Sequence, residues 1–136
     1  MTVAVVVDTG VLLAAADTAD DDHQRCAGLL RAHRGDPAPV IPETSWQIER
    51  NLGARSEAAF LRLITSEHLR VIDLTLADWA RCIDLIETYA DLALGLVDAS
   101  VIAIAERLDV GMIATLNRRD FAVVRPAHRD AFELVP

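Results

Sequence analysis

Lysine is absent from this 136-residue sequence, and all 13 of its basic residues are arginine. A phosphate-binding P-loop needs a lysine ammonium against the phosphates, so that class is excluded, and a receiver domain loses the late lysine it requires. The dinucleotide fingerprint G-x-G-x-x-G is also missing after the first apolar run. Positive charge is scarce overall. Twenty-one acidic residues against 13 basic ones give a net charge of −8 and a pI near 4.8, which opposes a broad phosphate-gripping surface. Any nucleic-acid partner must therefore be met locally or through a metal. Cysteine occurs twice, as Cys26 and Cys82, too far apart in sequence for a redox or zinc motif, and both read as buried thiols. His23 and Cys26, at i and i+3, lack the two further ligands a zinc site would need.

Long hydrophobic runs are missing too. Val3 to Val7 and Val11 to Ala16 are each stopped by an aspartate, far short of the ~20 residues of a membrane span. The N-terminal residues show no basic region and no small-residue cleavage site, so a cytoplasmic protein without a signal peptide is expected. No repeat, linker or low-complexity tract interrupts the chain, which reads as one domain over 1–136. What is present is core material: 52% hydrophobic residues and a mean hydropathy of +0.26.

Val3 to Val7 form a β-branched run ending at Asp8-Thr9-Gly10, the pattern of a parallel strand buried on both faces. A short helix over Val11 to Ala16 and a second from about His23 to Arg34 follow, then a turn over Gly35 to Pro39. Val40-Ile41 reads as a second strand ending near Glu43, where Pro42-Glu43-Thr44 opens a helix. Two helices, from Trp46 and from Ser56, flank Gly53, and Leu69 to Leu74 is strand-like. Thr75-x-x-Asp78 starts a helix to Tyr89 whose Leu76, Trp79, Ala80, Ile83, Ile86 and Tyr89 are expected in the core. Asp98 to Leu108 is the most apolar helix, Met112 to Thr115 a strand, and Val123-Val124 with Phe132 to Val135 an edge strand. Strand and helix alternate, which predicts an α/β fold: a three-layer α/β/α sandwich around a mostly parallel sheet.

In such sheets ligands bind at the carboxyl ends of the strands, and three acids are placed there: Asp8, Glu43 and Asp98. Asp98 is the most informative, since it sits in the apolar run Val97-Asp98-Ala99-Ser100-Val101-Ile102, where a lone buried carboxylate is costly unless compensated. A divalent cation compensates it, and ions held by carboxylates activate water in phosphodiester cleavage. Singly, each acid also suits a helix cap or a first turn. Together, at three strand ends, they favour the metal. A fourth ligand is expected from the segment Ala114 to Phe121, either Asn117 or Asp120. Thr115 and Thr9 offer hydroxyls to support the carboxylates. Arg118, Arg119 and Arg125, with His128 and Arg129, make this end locally basic, and the first three are candidates to hold substrate phosphates. Trp46, Trp79, Phe60 and Tyr89 lie on apolar faces and read as core or interface rather than as base-stacking platforms. A haloacid-dehalogenase-type phosphatase would need a second aspartate where Gly10 stands.

Val5-Val6-Val7-Asp8-Thr9-Gly10-Val11-Leu12, Pro42-Glu43, Gly95-Leu96-Val97-Asp98-Ala99-Ser100 and Ala114-Thr115-Leu116-Asn117-Arg118-Arg119-Asp120-Phe121 together resemble the PIN-domain ribonucleases, specifically the VapC toxins of toxin–antitoxin pairs. The likeness runs over nearly the whole chain. It implies a PIN-like sandwich, endoribonuclease activity dependent on Mg²⁺ or Mn²⁺, a homodimer, and inhibition by a VapB-type antitoxin. It assigns Asp8, Glu43 and Asp98 to the metal and leaves the fourth ligand between Asn117 and Asp120, the latter a candidate catalytic acid: many relatives carry an acid where Asn117 stands, while others have asparagine there and an acid at the place of Asp120. The acidic surface would favour a structured RNA, such as a tRNA or rRNA loop, selected locally. The rival reading is a catalytically weak module that acts through dimerisation and antitoxin binding.

Overall fold

The computed structural model describes residues 5–32 and 41–136, together with the backbone of residues 37–38. Its elements are β1 (Val6–Val7), α1 (Thr9–Ala16), α2 (His23–Ala32), β2 (Pro37–Ala38), α3 (Ile41–Leu52), α4 (Ala54–Thr65) and β3 (Arg70–Val71), then α5 (Leu76–Thr88), a 3₁₀ turn (Ala90–Leu92), α6 (Leu96–Arg107), β4 (Met112–Ala114), α7 (Arg118–Val123) and β5 (Glu133–Val135). Every pairing is parallel: β1 with β4, β4 with β5, and β2 with β3. The ladders form a three-stranded sheet in the order β1-β4-β5 and a two-stranded sheet of β2 and β3, and β2 lies beside β1, so that β1 stands between β4 and β2.

Strand alternation divides the interior. Val6 belongs to one apolar cluster with α5, α6 and Phe121, while Val5 and Val7 belong to another with α1 to α4. Successive side chains on a strand face opposite ways, so a central strand apolar at every position must be covered on both sides. This is the α/β/α sandwich that the sequence predicts. α6 is the deepest helix, with Ala99 to Ala105 buried without a break. Gly53 takes φ 90° between α3 and α4, a left-handed conformation that glycine adopts without steric penalty.

Three expectations are corrected. Ile41 opens α3 rather than ending a strand, and the strand before it is Pro37–Ala38, inside the stretch predicted to turn; Val40, Gly35, Asp36 and Pro39 lie outside the described residues. Val123 ends α7 and Val124 caps it, so only Glu133–Val135 forms the edge strand. The third correction is the rotation of α5. Its capping box between Thr75 and Asp78 forms as predicted, but Leu76, Trp79, Ile83 and Ile86 are exposed, at 88%, 45%, 57% and 36%, and Ala80 is exposed as well. The buried face is Asp78, Cys82 and Leu85. Two ion pairs to α6 set this rotation: Arg81 forks Glu106 at 2.7 and 2.9 Å, and Arg107 Nε donates to Asp78 at 2.9 Å. Polar contacts choose between two apolar stripes that periodicity alone ranks alike. Cys26 and Cys82 are free and buried, as expected, and His23 Nδ1 lies 2.9 Å from the Ala14 carbonyl, a helix-to-helix contact.

Candidate active site

β1 delivers Asp8 to the carboxyl edge of the sheet, where its extended backbone and side chain form the N-cap of α1. The parallel register pairs Val7 with Ala114, and Asp8 N–H donates to the Ala114 carbonyl at 2.9 Å. Thr115 therefore arrives beside Asp8, and its hydroxyl donates to Asp8 Oδ2 at 2.7 Å. Asp8 Oδ1 accepts from Thr9 N–H at 2.8 Å. Asp8 is only 5% exposed, and burial raises its pKa while the two hydrogen bonds oppose that rise. The Thr9 hydroxyl does not reach a carboxylate: it accepts from Thr44 Oγ1 at 3.2 Å, tying α1 to the start of α3.

Asp98 stands in the first turn of α6, behind Gly95 as N-cap, so it is not itself the cap. Its pKa is pushed up to about 6, first by burial and then by the charges of Asp8, Asp120 and Glu43. Acids at the end of β1 and in the first turns of α3 and α7 thus stand within electrostatic reach of this one carboxylate of α6. Glu43 is in the first turn of α3 and accepts from Gln47 Nε2 at 3.4 Å. Among the described residues, no three His, Cys, Asp or Glu side chains close on a single point as a preformed cation cage.

Asn117 and Asp120 are in direct contact. Asn117 caps α7: its Oδ1 accepts from Asp120 N–H at 3.4 Å, and its Nδ2 donates to Asp120 Oδ2 at 3.1 Å. Its own N–H donates to Thr115 Oγ1 at 3.0 Å. Both ends of the amide are therefore engaged with Asp120, and Asn117 orients that acid. Asp120 Oδ1 is buried with no hydrogen-bond partner, its nearest cation being Arg119 Nε at 3.4 Å. Short α7 leaves no apolar period in the sequence. The signal that marks it is Asn117-x-x-Asp120, a capping residue followed at N3 by an acid.

The basic candidates separate. Arg118 donates to the carbonyls of Leu134 and Pro136, at 3.3 and 2.9 Å, and holds the last strand. Arg125 donates through Nη1 to the Ala122 carbonyl and through its backbone N–H to the Tyr89 hydroxyl. Arg129 reaches the Asp109 carbonyl, and His128 Nε2 lies 2.8 Å from that of Val110. Arg119 alone among them sits beside the acids, with its side chain 85% exposed. Phe60 is buried as expected, but Trp46 is 56% exposed and Trp79 45% exposed, so neither is a core residue.

An apolar cavity of about 280 Å³ lies among Leu12, Ala16, Leu30, Phe60 and Leu63 of α1, α2 and α4, and none of the acids lines it. Among the described residues, no helix is long and apolar enough to cross a membrane.

Comparison with known proteins places the fold among solved and curated relatives. The sequence is 26% identical over 136 residues to Ribonuclease VapC26 of Mycobacterium tuberculosis (strain ATCC 25618 / H37Rv), covering 97% of this chain and all of that protein. The fold superposes on the Sarcin-Ricin loop cleaving toxin VapC20 of M. tuberculosis with a TM-score of 0.74 at 19% identity, covering 81% of this chain and 87% of that one. It also superposes on VapBC2 from Rickettsia felis, solved bound to a DNA fragment from their promoter, with a TM-score of 0.67 at 16% identity and 96% coverage of both chains. The PIN domain family matches residues 5–125, from the strand that leads into Asp8 to two residues past α7, and the chain belongs to that family.

Proposed function

We propose that this chain is a divalent-metal-dependent endoribonuclease, the toxin of a toxin–antitoxin pair acting in the cytoplasm on a structured RNA. The observation that carries the reading is the charge around Asp98: Asp8, Asp120 and Glu43 stand within electrostatic reach of it and, after burial, push its pKa up to about 6. Concentrated like charge is unfavourable in a folded core and fits a site that works with a cation. The donor set is all oxygen, as hard cations such as Mg²⁺ and Mn²⁺ prefer, and Asp120 Oδ1 is a buried acceptor with no hydrogen bond of its own. Asp8, Glu43 and Asp98 would hold the ion, with Asp120 as the fourth acid. When bound, such an ion lowers the pKa of a water and stabilises charge on a leaving oxygen.

The protein's own residues prepare the rest. Thr115 and the Thr9 N–H fix the Asp8 carboxylate in one orientation. Asn117 does the same for Asp120. Arg119 extends from the acidic rim into solvent, where its guanidinium can meet a backbone phosphate lying over the acids. Support for the toxin role comes from the 26% identity to Ribonuclease VapC26 and from a structural neighbour described as a toxin–antitoxin complex from Klebsiella pneumoniae. The apolar cavity between α1, α2 and α4 offers a partner segment a place to bury side chains, and the exposed apolar row on α5 offers surface for a homodimer. Against the catalytically weak alternative stands Asp120, an acid that Asn117 Nδ2 engages directly.

The test is cleavage of total cellular RNA by the purified protein with Mg²⁺, Mn²⁺ or EDTA, with Asp8→Asn alongside. Discrete fragments that need the metal and vanish in the variant are expected. Absence of cleavage by a folded, metal-binding protein would overturn the enzyme reading.

A further inference from the structure

α3 starts among the acids and leaves them along an exposed face. Glu43, Trp46, Gln47 and Arg50 are related by steps of three, four and seven residues, so all four project from one side of the helix. At 1.5 Å per residue, Trp46 lies about 4.5 Å and Arg50 about 10 Å further along the axis than Glu43. The Arg50 guanidinium carbon sits 5.1 Å from the centroid of the Trp46 ring. More than half of the Trp46 surface remains open, at 56% exposure. Among the described residues, no carboxylate pairs with Arg50, although acids outnumber basic residues by 21 to 13. An indole left in water contributes little to folding, and an unpaired arginine laid on it is a cation held ready beside an open aromatic surface.

We propose that Trp46 and Arg50 form a subsite for an unpaired nucleotide of the RNA substrate, next to the cleavage site. The inference rests on the ribonuclease reading and adds where the strand is held. The nucleobase stacks on the open surface of the Trp46 ring, and Arg50 directs its edge N–H groups to the neighbouring phosphate. Aromatic stacking accepts any base and needs no extended positive surface, which suits a chain of net charge −8. Cation and ring together draw an unpaired nucleotide to the helix face that carries Glu43. A paired duplex, with its bases stacked on each other, cannot use it. The subsite therefore selects for loops over helices.

The experiment measures binding of a short fluorescein-labelled single-stranded oligouridylate to the full-length Asp98→Asn protein in Mg²⁺, and to the same protein carrying Trp46→Ala, Trp46→Phe or Arg50→Gln. Loss of one stacked base predicts affinity about 10- to 100-fold weaker for Trp46→Ala, with Trp46→Phe recovering most of it. An abasic strand of equal length should bind Trp46→Ala and its parent alike. Arg50→Gln should reduce the salt slope by about 0.7. In the active protein, Trp46→Ala should raise KM and spare kcat. Equal affinity of Trp46→Ala and its parent for the oligouridylate overturns the subsite, as does an equal loss on the abasic strand. Dissociation of a dimer by Trp46→Ala, seen by light scattering, also overturns it, because the ring then belongs to a contact between copies. If the wild type neither binds nor cleaves RNA, the ribonuclease reading falls and takes the subsite with it; wild-type cleavage with an unaffected Trp46→Ala variant removes the subsite alone.

Discussion

The Thr115 hydroxyl donates a 2.7 Å hydrogen bond to Asp8 Oδ2 across 107 residues of sequence. The bond exists because β1 and β4 are adjacent parallel strands that end level with each other, Val7 opposite Ala114. The same hydroxyl accepts from Asn117 N–H, and Asn117 holds Asp120. One threonine therefore links Asp8, through Asn117, to Asp120.

Removing that hydroxyl should disorient Asp8. Thr115→Val is expected to lower cleavage and metal affinity by roughly 10- to 100-fold, the usual effect of losing a group that orients a ligand. Thr115→Ser should keep most of both. Calorimetric titration with Mn²⁺ alongside kinetics checks this, and unchanged metal affinity in Thr115→Val would contradict it.

Asp98→Asn should abolish cleavage and leave the fold intact. It should also stabilise the metal-free protein at neutral pH. The folded pKa of Asp98, about 6, lies above its ordinary value of 3.8, so between those values the native state binds more protons than the unfolded one. Stability then falls as pH rises through that window and stays lower above it. Thermal melts in EDTA should show a higher Tm for Asp98→Asn than for wild type at pH 7.5 and no gain at pH 3.5. An equal difference at both values would refute the electrostatic account.

Asp120→Asn should impair metal binding more than Asn117→Ala. The first removes a carboxylate whose Oδ1 has no other hydrogen-bond partner, whereas the second removes its orienting amide and the cap of α7, worth about 1 kcal/mol of stability. The reverse ranking in a metal titration would make Asn117 the ligand.

Arg118 and Arg119 are neighbours with different expected phenotypes. Arg118→Ala releases the Leu134 and Pro136 carbonyls and should lower Tm with little effect on KM. Arg119→Ala, at a side chain 85% exposed, should leave Tm unchanged, raise KM for RNA and flatten its salt dependence. Matching phenotypes would remove the distinction.

On α5, Leu85→Ala should cost about 2–5 kcal/mol as a buried truncation, and Ile83→Ala within about 0.5 kcal/mol in the monomer. Chemical denaturation measures both. A large loss at Ile83 that depends on protein concentration would place the exposed row in a contact between copies.

The layered fold was legible in the sequence, and Asp8, Glu43 and Asp98 stood out there as candidates. Val5 to Val7 are apolar at every position, so the strand had to be central, and Asp8 had to emerge at its end. Asp98 was legible because a carboxylate inside an apolar helical run demands an explanation. Local pattern also marked Gly53 as the break between α3 and α4 and Thr75 with Asp78 as a cap. Tertiary structure decided what depends on contacts between distant segments. α5 carries two apolar stripes, and only the pairing of Arg81 with Glu106 and of Arg107 with Asp78 selected the one that faces inward. Asn117 and Asp120 were equal as candidates because either can present an oxygen. The hydrogen bonds around α7 made one the orienter and the other the oriented. Trp46 read as apolar because residue type carries no record of exposure, which depends on which elements cover α3. Side-chain chemistry is written residue by residue, whereas burial and orientation belong to the packed whole.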